Sequence, residues 1–447
     1  MSVNPADGLV FGAVYGSDAM RAIMGERSYL ARMLEMEAAL ARAQARLGLI
    51  PAEAAEAITR AASPDRLDLP ALAAATRNMG FPTVGLVKQL SAAAGAEAGR
   101  WTHWGATTQD VLDTALVLQL REALGLLGAD LDRLIGGFAA LAARHRDTVM
   151  AGRTHAQQAL PITFGYKVAL WLDPLITMRE RLHQLRPRLL RLQFGGAVGT
   201  LASLGADGPR VAAALAEELD LALPAIPWHV ARDSIAELGC WCGMLCGTLA
   251  KPARDVMWLM QSEVAEASEP AAPGKGGSST MPQKRNPIGC EYVLAQARAA
   301  QALLPQLLGA MVHEHERGAG PMQLEQLALG QVLLLTHGAL ATLLPIAEGL
   351  EVDAARMRHN LEAGGGLIMA EAGMMGLAPK LGRGVAHEVV HHACEEAMNQ
   401  GIKLAEALAR EQRVTSVLDA EGIARLTDPG NYLGAAGAFT DAVLARL

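Results

Sequence analysis

Aromatic residues make up only 4% of this 447-residue chain, charged residues 19%, and cysteine occurs five times. The scarcity of aromatics beside abundant Ala and Leu and 19 Met argues against an all-β architecture. Unbranched side chains lose little rotamer freedom in a helix, and Ala loses none. With 51% apolar residues the chain is not disordered. Basic blocks are missing, and 39 Lys+Arg against 46 Asp+Glu leave a net charge of −7. Nucleic acid and anionic membrane are therefore excluded as main partners. Cys240, Cys242 and Cys246 cluster in a helix-like segment, but the second ligand pair of a zinc site is missing, so they read as small buried hydrophobes. The first residues carry no basic stretch followed by an apolar one. No apolar run reaches the ~18–20 residues that span a bilayer, because Val332–Leu350 is interrupted by Thr336, His337, Pro345 and Glu348. A cytoplasmic protein is expected.

Apolar residues at helical spacing run through Arg27–Leu47 and stop at Gly48 and Pro51. Longer periodic segments follow at Val111–His145, Tyr166–Leu192, Ala231–Glu266, Glu291–His313 and Gln323–Leu344. Many of their faces are apolar almost all round, which predicts helices buried on several sides in a bundle extended by subunit association. Three parts are expected: residues 1–107, mostly helical; 108–348, a long-helix core; and 349–447, a helical cap.

The irregular segments between these helices hold the unusual residues: Trp101–Asp110, Gly152–Gln158, Pro273–Pro287 and Glu314–Gly318. Loops at the ends of rigid helices commonly carry binding and catalytic groups. In the third segment Gly274, Gly276 and Gly277 give hinge freedom, beside polar Ser278, Ser279, Lys284 and Asn286. A phosphate loop is excluded because Gly-x-x-x-x-Gly-Lys-[Ser/Thr] does not occur. The composition suits a closing loop that brings a hydroxyl to an anionic substrate while Lys284 and Asn286 stabilise developing oxyanion charge.

Gly277-Ser278-Ser279-Thr280-Met281-Pro282-Gln283-Lys284-Arg285-Asn286-Pro287 resembles the signature of the fumarase/aspartase superfamily. Thr102–Asp113 and Gly152–Gly165 resemble its other two signature regions, in the same order, and the likeness covers essentially the whole chain. Gln193–Thr200, Pro227-Trp228-His229, His315-Glu316-Arg317 and Leu350–Met357 resemble the 3-carboxy-cis,cis-muconate cycloisomerases within it. The resemblance implies an all-α fold with long central helices, joined in a homotetramer around a twenty-helix bundle. Each active site would draw on three subunits and require no cofactor or metal.

The same resemblance implies proton transfer beside a substrate carboxylate, through an aci-carboxylate. Ser278 matches the loop serine that acts as base, and Lys284 and Asn286 match the residues that hold the carboxylate. Thr107, Thr108 and Gln109 match a carboxylate cradle, with Ser279 and Thr154 as further substrate contacts. His155 matches an acid for the leaving group, and Arg317 a substrate-binding arginine. Thr107 and Thr108 could equally cap the helix beginning near Val111. Arg317 could instead pair with Glu314 or Glu316, and His103 and His229 stay open between site and core. Cycloisomerases often carry an aromatic residue at the His155 position, so His155 also suits a C–N lyase that eliminates fumarate from an N-succinyl compound. Residues Asn78–Leu90 lack the acidic-His-Asp-Val pattern of the adenylosuccinate lyases, which argues against that nucleotide substrate. His387-Glu388-Val389-Val390-His391 matches the H-E-x-x-H zinc motif, with no third-ligand motif downstream, leaving a zinc hydrolase as the remote alternative.

Overall fold

A computed structural model describes residues 4–447 other than Ala272, Pro273, Lys275, Ser278 and Ser279. The fold is all-α in character, as expected. Helices Thr108–Arg144, Phe164–Leu189, Asp233–Leu259 and Pro321–Gly349 run 37, 26, 27 and 29 residues. The segment Glu291–His313, read as one long helix, instead forms Ile288–Ala302 followed by Leu304–Gly309. Pro305 is the cause. Its ring clashes with a carbonyl one turn back, yet it is harmless in the first turn of a new helix. The helix read through Glu266 ends at Leu259, and Glu266 beyond it takes up an ion pair described below.

The chain divides into two units built from interleaved segments. Met1–Leu131, Met178–Gly247 and Tyr292–Ala341 form the first. Here Val111, Leu112, Ala115, Val117, Leu118 and Leu120 lie on all sides of one helix and are all buried, as expected of a bundle core. The helix Pro321–Gly349 is long and apolar enough to cross a membrane, but two thirds of its most apolar stretch (67%) is buried within the protein. Its buried polar residues Thr336 and His337 have partners. His337 Nδ1 lies 2.6 Å from Ser17 Oγ and its Nε2 3.0 Å from Asp130 Oδ2, and Cys246 Sγ sits 3.4 Å from Thr336 Oγ1.

The second unit comprises Asp132–Thr177, Thr248–Glu291 and Thr342–Leu447. Trp171 packs edge-on against Phe138 and Phe164, with centroids 5.7 and 6.0 Å away, and donates its indole N–H to Asp255 at 2.8 Å. Two small antiparallel sheets also lie here. One pairs Val149–Thr154 with Gln157–Thr163, the other Ala267–Ser268 with Glu351–Val352. The C-terminal helices enclose their own core, including Met369, Leu377, Val389, Val390, Leu404, Leu408 and Ile423.

Candidate active site

In the first unit the predicted carboxylate cradle sits at the N-terminus of the helix Thr108–Arg144. Asp110, fully buried, reaches back to accept the Thr107 N–H at 3.0 Å. It also accepts from Gly195 N (2.8 Å), Gly196 N (2.9 Å) and Gln193 Nε2 (3.2 Å). Burial pushes its carboxyl up to about 6, although these donors pull the other way. Asp110 thus ties off the helix start, and the hydroxyls of Thr107 and Thr108, half-buried, make no hydrogen bond among the described residues. They are free for a ligand.

Gln109 is committed on both sides. Its amide donates to Asp113 Oδ2 (3.0 Å) and to the His229 carbonyl (2.7 Å), and its Oε1 accepts from Arg317 Nε at 2.8 Å. Arg317 is exposed and also donates to the Ala197 carbonyl, rather than pairing with Glu314 or Glu316. Beneath this group lies a buried ionic triad. Arg232 grips Asp113 with two bonds of 2.7 and 3.0 Å and also bonds Glu325, while its guanidinium stacks 4.9 Å above the Trp228 ring. Burial raises the Glu325 carboxyl, with Arg232 opposing it. His103 has a structural partner, Glu37 Oε1, at 2.6 Å.

In the second unit Thr154 and His155 occupy the tip of the hairpin. Thr154 pairs with Gln157, leaving a two-residue turn in which His155 and Ala156 have φ of 52° and 64°. Such turns favour Asn-Gly because both positions need positive φ. A His-Ala turn is costly, and strained backbone of this kind concentrates at functional sites. The hairpin is anchored by Arg153, bidentate to the fully buried Glu266 at 2.8 and 2.6 Å, and Asn360 donates to the same carboxylate at 2.9 Å. Gly152 lies at the register shift between Ala151 and Arg153, where a Cβ would come within 2.8 Å of the Leu160 carbonyl.

Ser278 and Ser279 lie outside the described residues. The rest of the signature segment is pinned at several points. Asn286 N donates to Gly276 O (2.9 Å), Lys284 N to Met281 O (3.0 Å), and Arg285 pairs with Glu351 at 2.8 Å. Glu269 accepts from Cys290 N (2.8 Å) and Gly289 N (3.2 Å) at the start of the next helix. The side chains of Lys284 and Asn286 have no hydrogen-bond or ion-pair partner among the described residues. They line a cavity of about 600 Å³ with Ser262, Ser268, Gln261 and Met260.

The zinc-like motif lies on the helix Arg383–Gln400 with His387, Glu388 and His391 all exposed. The two rings stack at 6.2 Å, Glu388 bonds Arg413 at 3.1 Å, and no group of three potential metal ligands occurs among the described residues. Sequence reasoning missed Asp110, Arg232, Glu325 and Glu266. A charged residue inside an otherwise apolar run, such as Arg232, was the available signal.

A family model described as Lyase matches residues 14–302, and one described as Adenylosuccinate lyase C-terminus matches residues 366–443. The chain belongs to the lyase family of the fumarase/aspartase superfamily. Within this family it is 50% identical to 3-carboxy-cis,cis-muconate cycloisomerase of Bradyrhizobium diazoefficiens, covering 96% of each chain. It is 48% identical to the enzyme of that name from Pseudomonas aeruginosa, over 100% of this chain and 98% of the relative. The crystal structure of the 3-carboxy-cis,cis-muconate lactonizing enzyme from Pseudomonas putida matches with a TM-score of 0.94 and 43% identity, covering 98% of this chain and 99% of that one.

Proposed function

We propose that this lyase-family protein is a 3-carboxy-cis,cis-muconate cycloisomerase, acting in aromatic catabolism. The observation that carries the reading is near-full-length identity of 48–50% to enzymes of that name. The uncommitted Lys284 and Asn286 and the free hydroxyls of Thr107 and Thr108 suit it chemically. In the reaction a carboxylate oxygen of the substrate attacks its own double bond and forms a C–O bond. The displaced electron pair spreads onto the conjugated carboxylate as an aci-carboxylate. A proton delivered to the adjacent carbon completes the lactone, so the ionised substrate takes up one proton and the free acid and its lactone are isomers.

Lys284 and Asn286 hold the carboxylate that gains charge, where preorganised donors are worth most. Ser278 exchanges the proton. Thr107, Thr108, Thr154, Ser279 and Arg317 bind the remaining polar groups, and Gln109, read from the sequence as a further contact, serves through its bond to Arg317. No cofactor is assigned a role. A cytoplasmic homotetramer, with sites drawn from three subunits, fits the five free thiols. It also fits the outward apolar side chains on long helices: Leu170, Trp258 and Leu327 are 51%, 51% and 65% exposed. The three-part division at residues 107 and 348 belongs to the same proposal. A second reading, elimination of fumarate from an N-succinyl amine, is favoured by His155, which the strained hairpin tip presents to solvent as an acid.

The test is ultraviolet decay of 3-carboxy-cis,cis-muconate, with the Ser278→Ala variant as blank. Serine-dependent loss of the diene absorbance is expected. No loss from folded protein refutes cycloisomerisation and turns attention to N-succinyl substrates.

A further inference from the structure

His229 is 6% exposed, yet neither Nδ1 nor Nε2 has a hydrogen-bond partner among the described residues. The Glu316 backbone lies beside the ring without reaching hydrogen-bond geometry. A buried polar group left in this state is costly, and such groups in native proteins call for a cause. The surroundings supply one. The backbone carbonyl of His229 receives Gln109, and Gln109 receives Arg317, so the imidazole belongs to the carboxylate-binding group. Its cover is the segment Ala197–Thr200. Gly199 packs so closely that a Cβ there would sit 2.5 Å from His229 Cε1. Arg317 holds this segment through the Ala197 carbonyl. Gly196 and Gly199, at φ +67° and +86°, give it hinges, and Val198 between them is 53% exposed.

A substrate carboxylate is a stronger acceptor for guanidinium than a peptide carbonyl, so it competes directly for the bond that keeps the cover down. We propose that His229 is a substrate-binding residue: a carboxylate that draws Arg317 from Ala197 lets the cover lift, and the exposed imidazole N–H donates to another carboxylate of the same molecule. The inference rests on the polycarboxylate reading above. A tricarboxylate presents three anionic groups. Arg317 takes one of them and His229 another. Burial and the nearby Arg317 both lower the His229 basicity, so it serves as a neutral donor that adds no buried charge to the empty site.

The experiment compares full-length wild type with His229→Phe and His229→Gln on 3-carboxy-cis,cis-muconate. Losing one such hydrogen bond should raise KM about tenfold in the Phe variant, with kcat little changed and thermal stability no lower than wild type. The Gln variant, which keeps an N–H donor, should recover much of the lost affinity. An unchanged KM for His229→Phe in an active enzyme overturns the proposal, as does a folded Gln variant as weak as Phe. The ¹⁵N resonance of the His229 ring in wild type, titrated with tricarballylate, gives a readout independent of turnover and of variant folding. No shift at saturation also overturns it. If wild type leaves the muconate untouched, the cycloisomerase reading fails, while the tricarballylate titration still decides the role of His229.

Discussion

Replacing Arg232 by Met tests whether the ionic triad holds the floor of the site. Arg232, Asp113 and Glu325 have side chains only 1%, 2% and 5% exposed, so solvent screening does little there. Two carboxylates share one guanidinium. Removing one partner of a buried pair costs about 3–5 kcal/mol, and with two carboxylates left without their shared cation the upper end is expected. For a chain this long that corresponds to a fall in Tm on the order of 5–10 °C.

The loss should also depend on pH. Burial already raises the Glu325 carboxyl and Arg232 opposes the rise; without Arg232 the folded-state value climbs further above the unfolded value of about 4.3. A raised folded value favours the fold below the unfolded value, and that advantage disappears as pH rises through the folded one. The gap between wild type and variant should therefore be larger at pH 8 than at pH 5. Differential scanning fluorimetry at fixed protein concentration across that range measures it. A Tm within 1 °C of wild type at pH 8, or a deficit independent of pH, refutes the reasoning.

Replacing Lys284 by Met should lower kcat about 10²–10³-fold with the melting temperature unchanged; a kcat within threefold would remove Lys284 from charge stabilisation. Converting the hairpin turn to Asn-Gly, through His155→Asn with Ala156→Gly, should relieve roughly 1–2 kcal/mol of backbone strain and raise Tm. If His155 acts as an acid, turnover on an N-succinyl substrate should fall at the same time, so unchanged turnover with raised stability would mark the turn as structurally costly without function.

The long helices were legible because apolar residues recur along Thr108–Arg144 and Pro321–Gly349 at a period that only a buried helix satisfies. The break at Pro305 was legible in principle, but a continuous apolar pattern on both sides masked it. The signature segment, the Thr107–Gln109 run and the Thr154–His155 pair were readable because each is contiguous. The triad was not, since Arg232 lies 119 residues from Asp113 and 93 from Glu325, and no local pattern links them. The capping question at Thr107 and Thr108 was undecidable from residue preference alone. Asp110, three positions on, accepts the Thr107 N–H, the reciprocal half of a capping box, and the threonine hydroxyls are left unused. The hairpin turn was hidden because His-Ala violates the chemistry by which such turns are recognised.

The interleaving of the two units governs how the protein is made. The first unit needs Met1–Leu131, Met178–Gly247 and Tyr292–Ala341 together, so on the ribosome it stays incomplete until its last stretch emerges. At about 5–20 residues per second, the apolar faces of Thr108–Arg144 wait many seconds for the partners that cover them. Neither unit corresponds to a fragment obtainable by cutting the chain once. Truncation at any point before Ala341 removes parts of both cores.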